Sequence, residues 1–127
     1  MCGIYGFTGS CNNPCKLLDI MGDEQIHRGP DDKGEFVNNE VAFGMRRLSI
    51  IDLEHGQQPF FSEDRSVVIV CNGEIYNYLE IREELQQKGY RFKTNSDIEV
   101  LPHLYVEYGE GFVQQLNGMF SIALYDV

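Results

Sequence analysis

The stretch SVVIVCNGEIYN, residues 66–77, joins a continuous β-branched run to a short polar segment. A run of this kind, with no alternation of apolar and polar residues, predicts a strand that is buried on both faces. The Asn-Gly pair that follows also fits an ordinary tight turn. The segment therefore predicts a buried strand over residues 66–71, with Asn72, Gly73 and Glu74 placed immediately after its end.

Strands and helices are predicted on both sides of this segment. Before it, the predicted elements are a strand over residues 2–9, a helix from residue 14 to about residue 26, a hairpin over residues 35–48 and a loop over residues 55–66. After it, they are helices over residues 78–88 and 96–108 and a strand over residues 118–127. The first helix begins at Asn13-Pro14, which supply an N-cap and a proline at the first helical position, and the hairpin turns at Asn38-Asn39.

The two later helices share the same start and stop signals. Each begins with a capping-box-like pair and ends at a glycine: Asn77 with Glu80 and Gly89, and Ser96 with Glu99 and Gly109. Pro102 lies inside the second of them and removes a backbone hydrogen bond, which predicts a kink. Strands at both ends of the chain with helices between them predict an α+β fold in which helices pack against antiparallel sheets.

The composition limits the classes of function. The 127 residues suffice for one domain with a single hydrophobic core. A net charge of −10 argues against binding to nucleic acid or to anionic membranes, because both select basic surfaces. No segment reaches the apolar length of a membrane span and no signal peptide opens the chain, so the expected location is the cytoplasm.

Three of the four cysteines are expected to be structural or incidental thiols. Without a secretion signal a disulfide framework is not expected. Cys11, Cys15 and His27 could contribute to a zinc site, but the CNNPC spacing is one residue too long for the common C-x2-C knuckle and no second pair follows. We therefore expect no metal, and we assign Cys11, Cys15 and Cys71 no chemical role.

Four stretches concentrate polar chemistry: HRGPDD (27–32), RRLSIID (46–52), CNGEIYN (71–77) and NSDIE (95–99). Each also has a purely structural explanation: a Pro-Asp turn, the end of an amphipathic strand, a type I′ turn, and an aspartate that complements a helix dipole. Together they contain an arginine fork for a carboxylate, carboxylates for an α-ammonium group, and an Asn-Gly pair for an oxyanion. These are the parts needed to bind an amino acid, although spacing alone does not show that they converge.

Cys2 follows Met1 directly and admits two interpretations. Free cysteine is among the most buried residue types, so Cys2 could simply begin a buried strand. It could also be a nucleophile that becomes the N-terminus once Met1 is removed. Residue 2 by itself does not decide between them.

Six ordered motifs resemble one family. They are MCGIYGF, HRGPDD, RRLSIIDL, CNGEIYN, SDIEVL and LNGMFSIALYD, and they extend over essentially the whole chain. This set is similar to the N-terminal glutaminase domain of asparagine-synthetase-type class II glutamine amidotransferases, which are N-terminal-nucleophile hydrolases. The resemblance implies a four-layer αββα sandwich of antiparallel sheets. It also implies that residues 1–127 are one partial amidotransferase domain, truncated at its C-terminus because the family domain continues beyond residue 127.

The resemblance further implies a role for individual residues. Once Met1 is removed, Cys2 would attack the δ-carboxamide of glutamine, and its own α-amine, with a pKa of about 7.7–8.0, would shuttle the proton. Asn72 and Gly73 match the oxyanion-hole positions. Arg47 matches the position that binds the α-carboxylate, and the backbone of Ile50 and Ile51 matches positions that line the same site. Asn72 also matches a substrate-binding position. Glu74 and Asp97 match the pair that binds the ammonium group. Arg28 matches a supporting position near the nucleophile.

The implied reaction is hydrolysis of L-glutamine to glutamate and ammonia without a cofactor, since ATP and Mg would belong to a synthetase domain that this chain lacks. Three alternatives stay open: a fragment without turnover, a glutaminase domain that feeds a surface-polysaccharide amidation enzyme, and a hydrolase of another amide. Arg47, Glu74 and Asp97 argue against the last, because they suit a zwitterion. Our further hypothesis is a homodimer through the apolar edge strand 118–126, which lacks the neighbour that the family provides.

Overall fold

The computed structural model describes residues 2–127. Its strands are β1 (Gly3–Thr8), β2 (Asp32–Val37), β3 (Val41–Arg47), β4 (Phe60–Phe61), β5 (Val67–Ile75) and β6 (Gly118–Asp126). Its α-helices are α1 (Pro14–Asp23), α2 (Tyr78–Gln87) and α3 (Val100–Tyr108), and a 3₁₀ helix covers Gly109–Gln115. The strands form two antiparallel sheets, ordered β1-β3-β2 and β4-β5-β6.

Three apolar clusters join these elements into four layers. The first lies between α1 and the sheet of β1, β2 and β3, and includes Leu18 and Tyr5. The second lies between the two sheets, where Phe43 and Met45 meet Val68 and Val70. The third lies between the sheet of β4, β5 and β6 and the helices α2 and α3. The order helix, sheet, sheet, helices confirms the predicted αββα sandwich.

Strand β5 is buried on both faces, as its β-branched sequence predicts. Val67, Val68, Ile69, Val70 and Cys71 are all 2% exposed or less. Because side chains alternate along a strand, the even-numbered residues of this run enter the cluster between the sheets and the odd-numbered ones pack beneath the helices. The centre of the molecule is therefore a single strand that both inner clusters share.

The prediction that β5 ends at Cys71 is wrong. The strand continues to Ile75, because β6 pairs with it from Val67 opposite Asp126 to Ile75 opposite Gly118. Asn72 and Gly73 therefore lie within the strand rather than in a turn. A Cβ at Gly73 would stand 2.1 Å from the Met119 carbonyl oxygen, so glycine is what allows β6 to approach here.

The N-terminal half of the chain follows the predictions with two differences. Asn13 caps α1 by accepting a hydrogen bond from the Lys16 N–H, but the helix ends at Asp23 instead of about residue 26. The hairpin of β2 and β3 forms as predicted around Asn38, whose side chain accepts from two backbone N–H groups of the turn. The predicted loop 55–66 contains β4, because Phe60 and Phe61 pair with β5.

The helix starts on the C-terminal side are the least accurate predictions. Asn77 precedes α2 but makes no side-chain cap; its amide bonds the Gln115 carbonyl and the Asn117 N–H instead. Helix α3 begins only at Val100, so Asp97 precedes the helix. Pro102 is then the third helical residue, where an N–H would lack a helical partner, and the basis for a kink disappears.

None of the helices in residues 2–127 is long and apolar enough to cross a membrane.

The third cluster is expected to carry much of the stability. Leu85 of α2 is fully buried, whereas Leu79 in the same helix is 64% exposed. We expect Leu85→Ala to lower the free energy of unfolding by about 2–5 kcal/mol. Leu79→Ala makes the same chemical change and is expected to stay within about 0.5 kcal/mol. Urea denaturation of both variants measures this difference, and equal losses of stability would contradict the burial of Leu85.

Candidate active site

One cavity of about 260 Å³ gathers most of the residues that the sequence singles out. The predicted site residues that line it are Cys2, Arg47, Ile50, Ile51, Asn72, Gly73, Glu74 and Asp97. They come from the residue before β1, the end of β3 and the loop after it, the second half of β5, and the segment before α3. The volume is below the range typical of pockets for drug-sized ligands, so it suits a small metabolite.

Sheet register places Cys2 beside the end of β3. Gly3 lies opposite Arg46 in the β1–β3 pair, so Cys2 lies next to the residues that follow. The Leu48 backbone N–H donates to the Cys2 Sγ at 3.3 Å, and Sγ lies 3.7 Å from the Leu48 carbonyl oxygen. A Cys2 thiolate would accept the same hydrogen bond from the Leu48 N–H.

Arg28 does not line the cavity. Its Nε donates to the Cys2 carbonyl oxygen at 3.0 Å, from the turn that follows α1. Cys2 is therefore fixed from two sides, by Leu48 at its sulfur and by Arg28 at its main chain. This contact is consistent with the supporting position that the motif HRGPDD predicts.

Arg47 is a buried cation with unused hydrogen-bonding capacity. It is only 5% exposed, and its Nη2 donates to the carbonyl oxygens of Ile51 and Asp52 at 2.6 and 2.8 Å. Its Nη1 is buried and has no partner in residues 2–127. A Cβ at Gly56 would lie 2.3 Å from Nη2, so the absence of a side chain there makes room for the guanidinium. An unpaired buried charge is costly, and an anion bound to this guanidinium would reduce that cost.

The neighbouring Arg46 serves a different purpose. Successive residues of a strand point to opposite faces, and the Arg46 side chain bonds the Gly22 carbonyl and the Asp23 carboxylate of α1. One arginine of the RR pair therefore joins α1 to its sheet and the other faces the cavity. The sequence alone distinguishes these two roles only through the resemblance.

The acidic side of the cavity is formed by Asp97 and Glu74. Asp97 is 4% exposed, and its Oδ2 accepts the Ile75 backbone N–H at 2.8 Å. Burial raises the pKa of Asp97, and the nearby Glu74 charge adds to the rise, although the Ile75 N–H opposes it. An ammonium group between these carboxylates would relieve both penalties. The cavity thus has a cation and a pair of carboxylates, as a zwitterionic ligand requires.

Gln58 is a buried residue of the cavity wall that the sequence does not reveal. Its Nε2 donates to the Cys71 carbonyl at 3.0 Å, and its Oε1 accepts the Cys71 N–H at 2.6 Å. This two-point contact fixes the main chain of β5 directly before Asn72. Gln58 falls in the segment predicted as a loop, and a single buried amide has no periodic signal that could have identified it.

The remaining thiols have no comparable setting. Burial raises the pKa of Cys71 to about 12, so it is a neutral thiol at pH 7. Cys11 and Cys15 are exposed. Within residues 2–127 no group of three or more His, Cys, Asp or Glu side chains is arranged to hold a metal ion.

Comparison with known proteins gives the same family as the motifs. A family model described as a glutamine amidotransferase domain matches residues 1–127. Two relatives in Bacillus subtilis (strain 168) are the glutamine-hydrolysing asparagine synthetases 2 and 1, which are 47% and 50% identical over 99% of this chain. Asparagine synthetase 1 of Arabidopsis thaliana is 43% identical over 99% of the chain. The chain spans only about a fifth of these relatives: 17%, 21% and 22% of their lengths.

The fold has a counterpart among solved structures. Glutamine phosphoribosylpyrophosphate amidotransferase from B. subtilis, complexed with ADP and GMP, superimposes with a TM-score of 0.67. The superposition covers 98% of this chain and 34% of that one at 20% identity, so it bears on the fold alone. Because the family model matches residues 1–127, the chain belongs to the glutamine amidotransferase domain family.

Proposed function

We propose that the chain hydrolyses L-glutamine to glutamate and ammonia, with Cys2 as the nucleophile. The observation that carries this proposal is the Arg47 guanidinium, buried with an unpartnered Nη1, in the same cavity as a thiol and two carboxylates. A free amino acid supplies the anion that Arg47 lacks and the cation that Glu74 and Asp97 would bind. The relatives named above, all described as glutamine-hydrolysing, support the choice of glutamine.

In the proposed complex the α-carboxylate bonds the Arg47 guanidinium, and the α-ammonium lies between Glu74 and Asp97. Cys2 lines the same cavity as these charged groups, and we assign the side-chain amide of the substrate to the part of the cavity next to its thiol. Asn72 and the Gly73 N–H are assigned to the amide oxygen, where two donors would stabilise the developing oxyanion. The backbone and the apolar side chains of Ile50 and Ile51 form part of the cavity wall. The Ile51 carbonyl oxygen already accepts a hydrogen bond from Arg47.

The reaction then needs two steps. The Cys2 thiolate attacks the δ-carbon, and collapse of the tetrahedral adduct breaks the C–N bond, so that ammonia leaves with the proton and a thioester forms. Water hydrolyses the thioester to glutamate and restores the thiol. The proton carrier is the α-amine of Cys2, which is free only after removal of Met1; that processing step lies outside the described residues. No cofactor takes part in this half-reaction.

We further propose that the ammonia serves a synthetase domain in a longer protein, as the nitrogen-donating half of an asparagine-synthetase-like amidotransferase. The support is that the matched relatives are asparagine synthetases, of which this chain spans about a fifth. ATP and Mg²⁺ would act in that domain. A cytoplasmic location is proposed from the four free cysteines, two of them exposed, which suit a reducing compartment.

The test of the proposed function is labelling of Cys2 by a glutamine-like diazoketone, followed by intact-mass spectrometry and peptide mapping. A chain that has lost Met1 should gain a single adduct at Cys2, and a chain that retains Met1 should gain none. Arg47→Ala should slow labelling about tenfold or more, because a charge-assisted contact to the reagent is lost.

The control for this experiment is Arg46→Ala. It removes a neighbouring arginine whose contacts are with α1. It should leave the labelling rate within about threefold, because successive side chains of a strand point to opposite faces and Arg46 points away from the cavity. An adduct at another cysteine, or a rate that does not respond to Arg47, would contradict the proposal.

Asp97→Asn is expected to stabilise the unliganded protein while it weakens glutamine binding. The folded-state pKa of Asp97 is raised, so its ionisation opposes folding above the ordinary value of 3.8, and the amide removes this penalty. Thermal denaturation should give a higher Tm for Asp97→Asn at pH 7 and no difference near pH 3. The KM for glutamine should rise about tenfold or more.

The control for this stability measurement is Asp64→Asn, which should show the opposite sign. Hydroxyl and N–H donors of Ser62 and Ser66 hold the pKa of Asp64 at about 2. Neutralising that carboxyl should lower the Tm at pH 7. A lower Tm for Asp97→Asn as well would contradict the cost assigned to the buried carboxylate.

We also propose that the chain self-associates through β6. This strand lies at the edge of its sheet and has no second partner strand within residues 2–127, and it exposes Met119 and Phe120 to 52% and 38%. Sedimentation velocity should show a dimer whose fraction rises with concentration. Ser121→Lys, at an exposed position of this strand, should reduce it, because a charged edge disfavours strand pairing. Gln86→Lys on the exposed face of α2 is the charge-matched control, and a wild-type monomer at all concentrations would contradict the proposal.

A further inference from the structure

Asp52 has an unusual backbone conformation close to the cavity. Its φ is 49°, in the left-handed region that non-glycine residues seldom adopt, and Arg65 is the one other non-glycine residue with positive φ in residues 2–127. Aspartate and asparagine tolerate this region better than most side chains. Conformations of this kind persist where surrounding contacts impose them, often at functional sites. Both the main chain and the side chain of Asp52 make contacts that hold this conformation.

The main chain of Asp52 supports the cationic side of the site. Its carbonyl oxygen accepts the Arg47 Nη2 at 2.8 Å and the Gly56 N–H at 3.0 Å. Together with the Ile51 carbonyl, it fixes the guanidinium and leaves Nη1 unpartnered. The loop after β3 thus folds back over its own arginine, and Asp52 is the residue at which it does so.

The side chain of Asp52 reaches the acidic side of the site. It is 8% exposed, and its Oδ2 accepts the Asn95 backbone N–H at 2.7 Å, while Oδ1 accepts the His55 N–H at 3.2 Å. The Asn95 N–H is the main cause that holds the pKa of Asp52 below its usual value. Asn95 precedes the buried Asp97 by two residues.

The rest of the segment around Asn95 is tied to α2 and to the start of α3. Arg82 donates to the carbonyl oxygens of Thr94 and Ser96 at 2.7 and 2.9 Å. Glu99 accepts the backbone N–H groups of Lys93 and Thr94. These contacts attach the segment to the helices but do not relate it to Arg47. The Asp52–Asn95 hydrogen bond makes that link.

We propose that Asp52 is a positioning residue that sets the spacing between Arg47 and Asp97. Its carbonyl holds Arg47, the proposed group for the substrate carboxylate, and its carboxylate holds the segment of Asp97, a proposed group for the ammonium. One residue therefore contacts both sides of the site. The site would then favour ligands that carry a carboxylate and an ammonium close together, as an α-amino acid does, because such a ligand contacts both sides of the site at once. This inference rests on the proposed function, since it assigns the two sides of the site to an α-amino acid.

The informative substitution is Asp52→Asn. Asparagine has the same shape and tolerates the same φ. Its amide offers a single acceptor oxygen, so it cannot accept from both the Asn95 and the His55 N–H groups. A second variant, Asp52→Gly, adopts the backbone conformation without strain and removes both acceptors. Asp64→Asn makes the matched change in a turn outside the cavity, where the carboxylate contacts Ser62 and Ser66.

The experiment measures how well three ligands protect Cys2 from the diazoketone. L-glutamate carries both α-groups, glutarate lacks the ammonium, and 4-aminobutyrate lacks the α-carboxylate. For the wild-type chain L-glutamate should protect best. Asp52→Asn should weaken protection by L-glutamate about tenfold, and Asp52→Gly by more, while each one-group ligand changes less than about threefold, because each side of the site stays intact locally. Asp64→Asn should change none of the three.

The outcomes separate the two proposals. If the wild-type chain shows no preference for L-glutamate, the proposed function fails, and this inference fails with it. If the wild-type chain prefers L-glutamate and both Asp52 variants keep the same preference, only the role of Asp52 is overturned. If the variants weaken all three ligands equally, Asp52 has a general structural role and does not set the spacing.

Discussion

The burial of β5 on both faces is the constraint on which the rest of the structure depends. One face of this strand meets the other sheet, and the other face meets α2 and α3. The first half of the strand is apolar and forms the centre of the molecule, whereas the second half runs to the cavity. Because the two halves are one rigid element, the position of Asn72 and Gly73 follows from the packing of the residues before them.

The cavity concentrates features that are unfavourable for folding. Arg47 keeps a buried N–H without a partner, burial opposes the ionisation of Asp97, and Asp52 adopts a left-handed backbone. Each of these has a cost in the empty protein, and each is offset by the surrounding packing and hydrogen bonds. The proposed substrate, an α-amino acid, would relieve the first two.

Local sequence signals predicted an element correctly where near neighbours in the chain also determine that element in the structure. The β-branched run, the Asn13 cap and the hairpin at Asn38 were all confirmed, because each depends on near neighbours in the chain. The signals failed where a distant partner decides. Pairing with β6 extends β5 through the Asn-Gly pair, and Asn77 bonds the loop before β6 in place of capping α2.

The sequence by itself determined the α+β class, the strand at the centre, and, through six ordered motifs, the family and the residues worth examining. The tertiary structure decided which of these residues meet. It separated Arg47 from Arg46, brought Cys2 against Leu48, and joined Asp52 to the segment of Asp97 across 43 residues of chain. It also showed Gln58, which has no pattern in the sequence. The physical reason is that hydrogen bonds between distant segments depend on sheet register and packing, which no local propensity encodes.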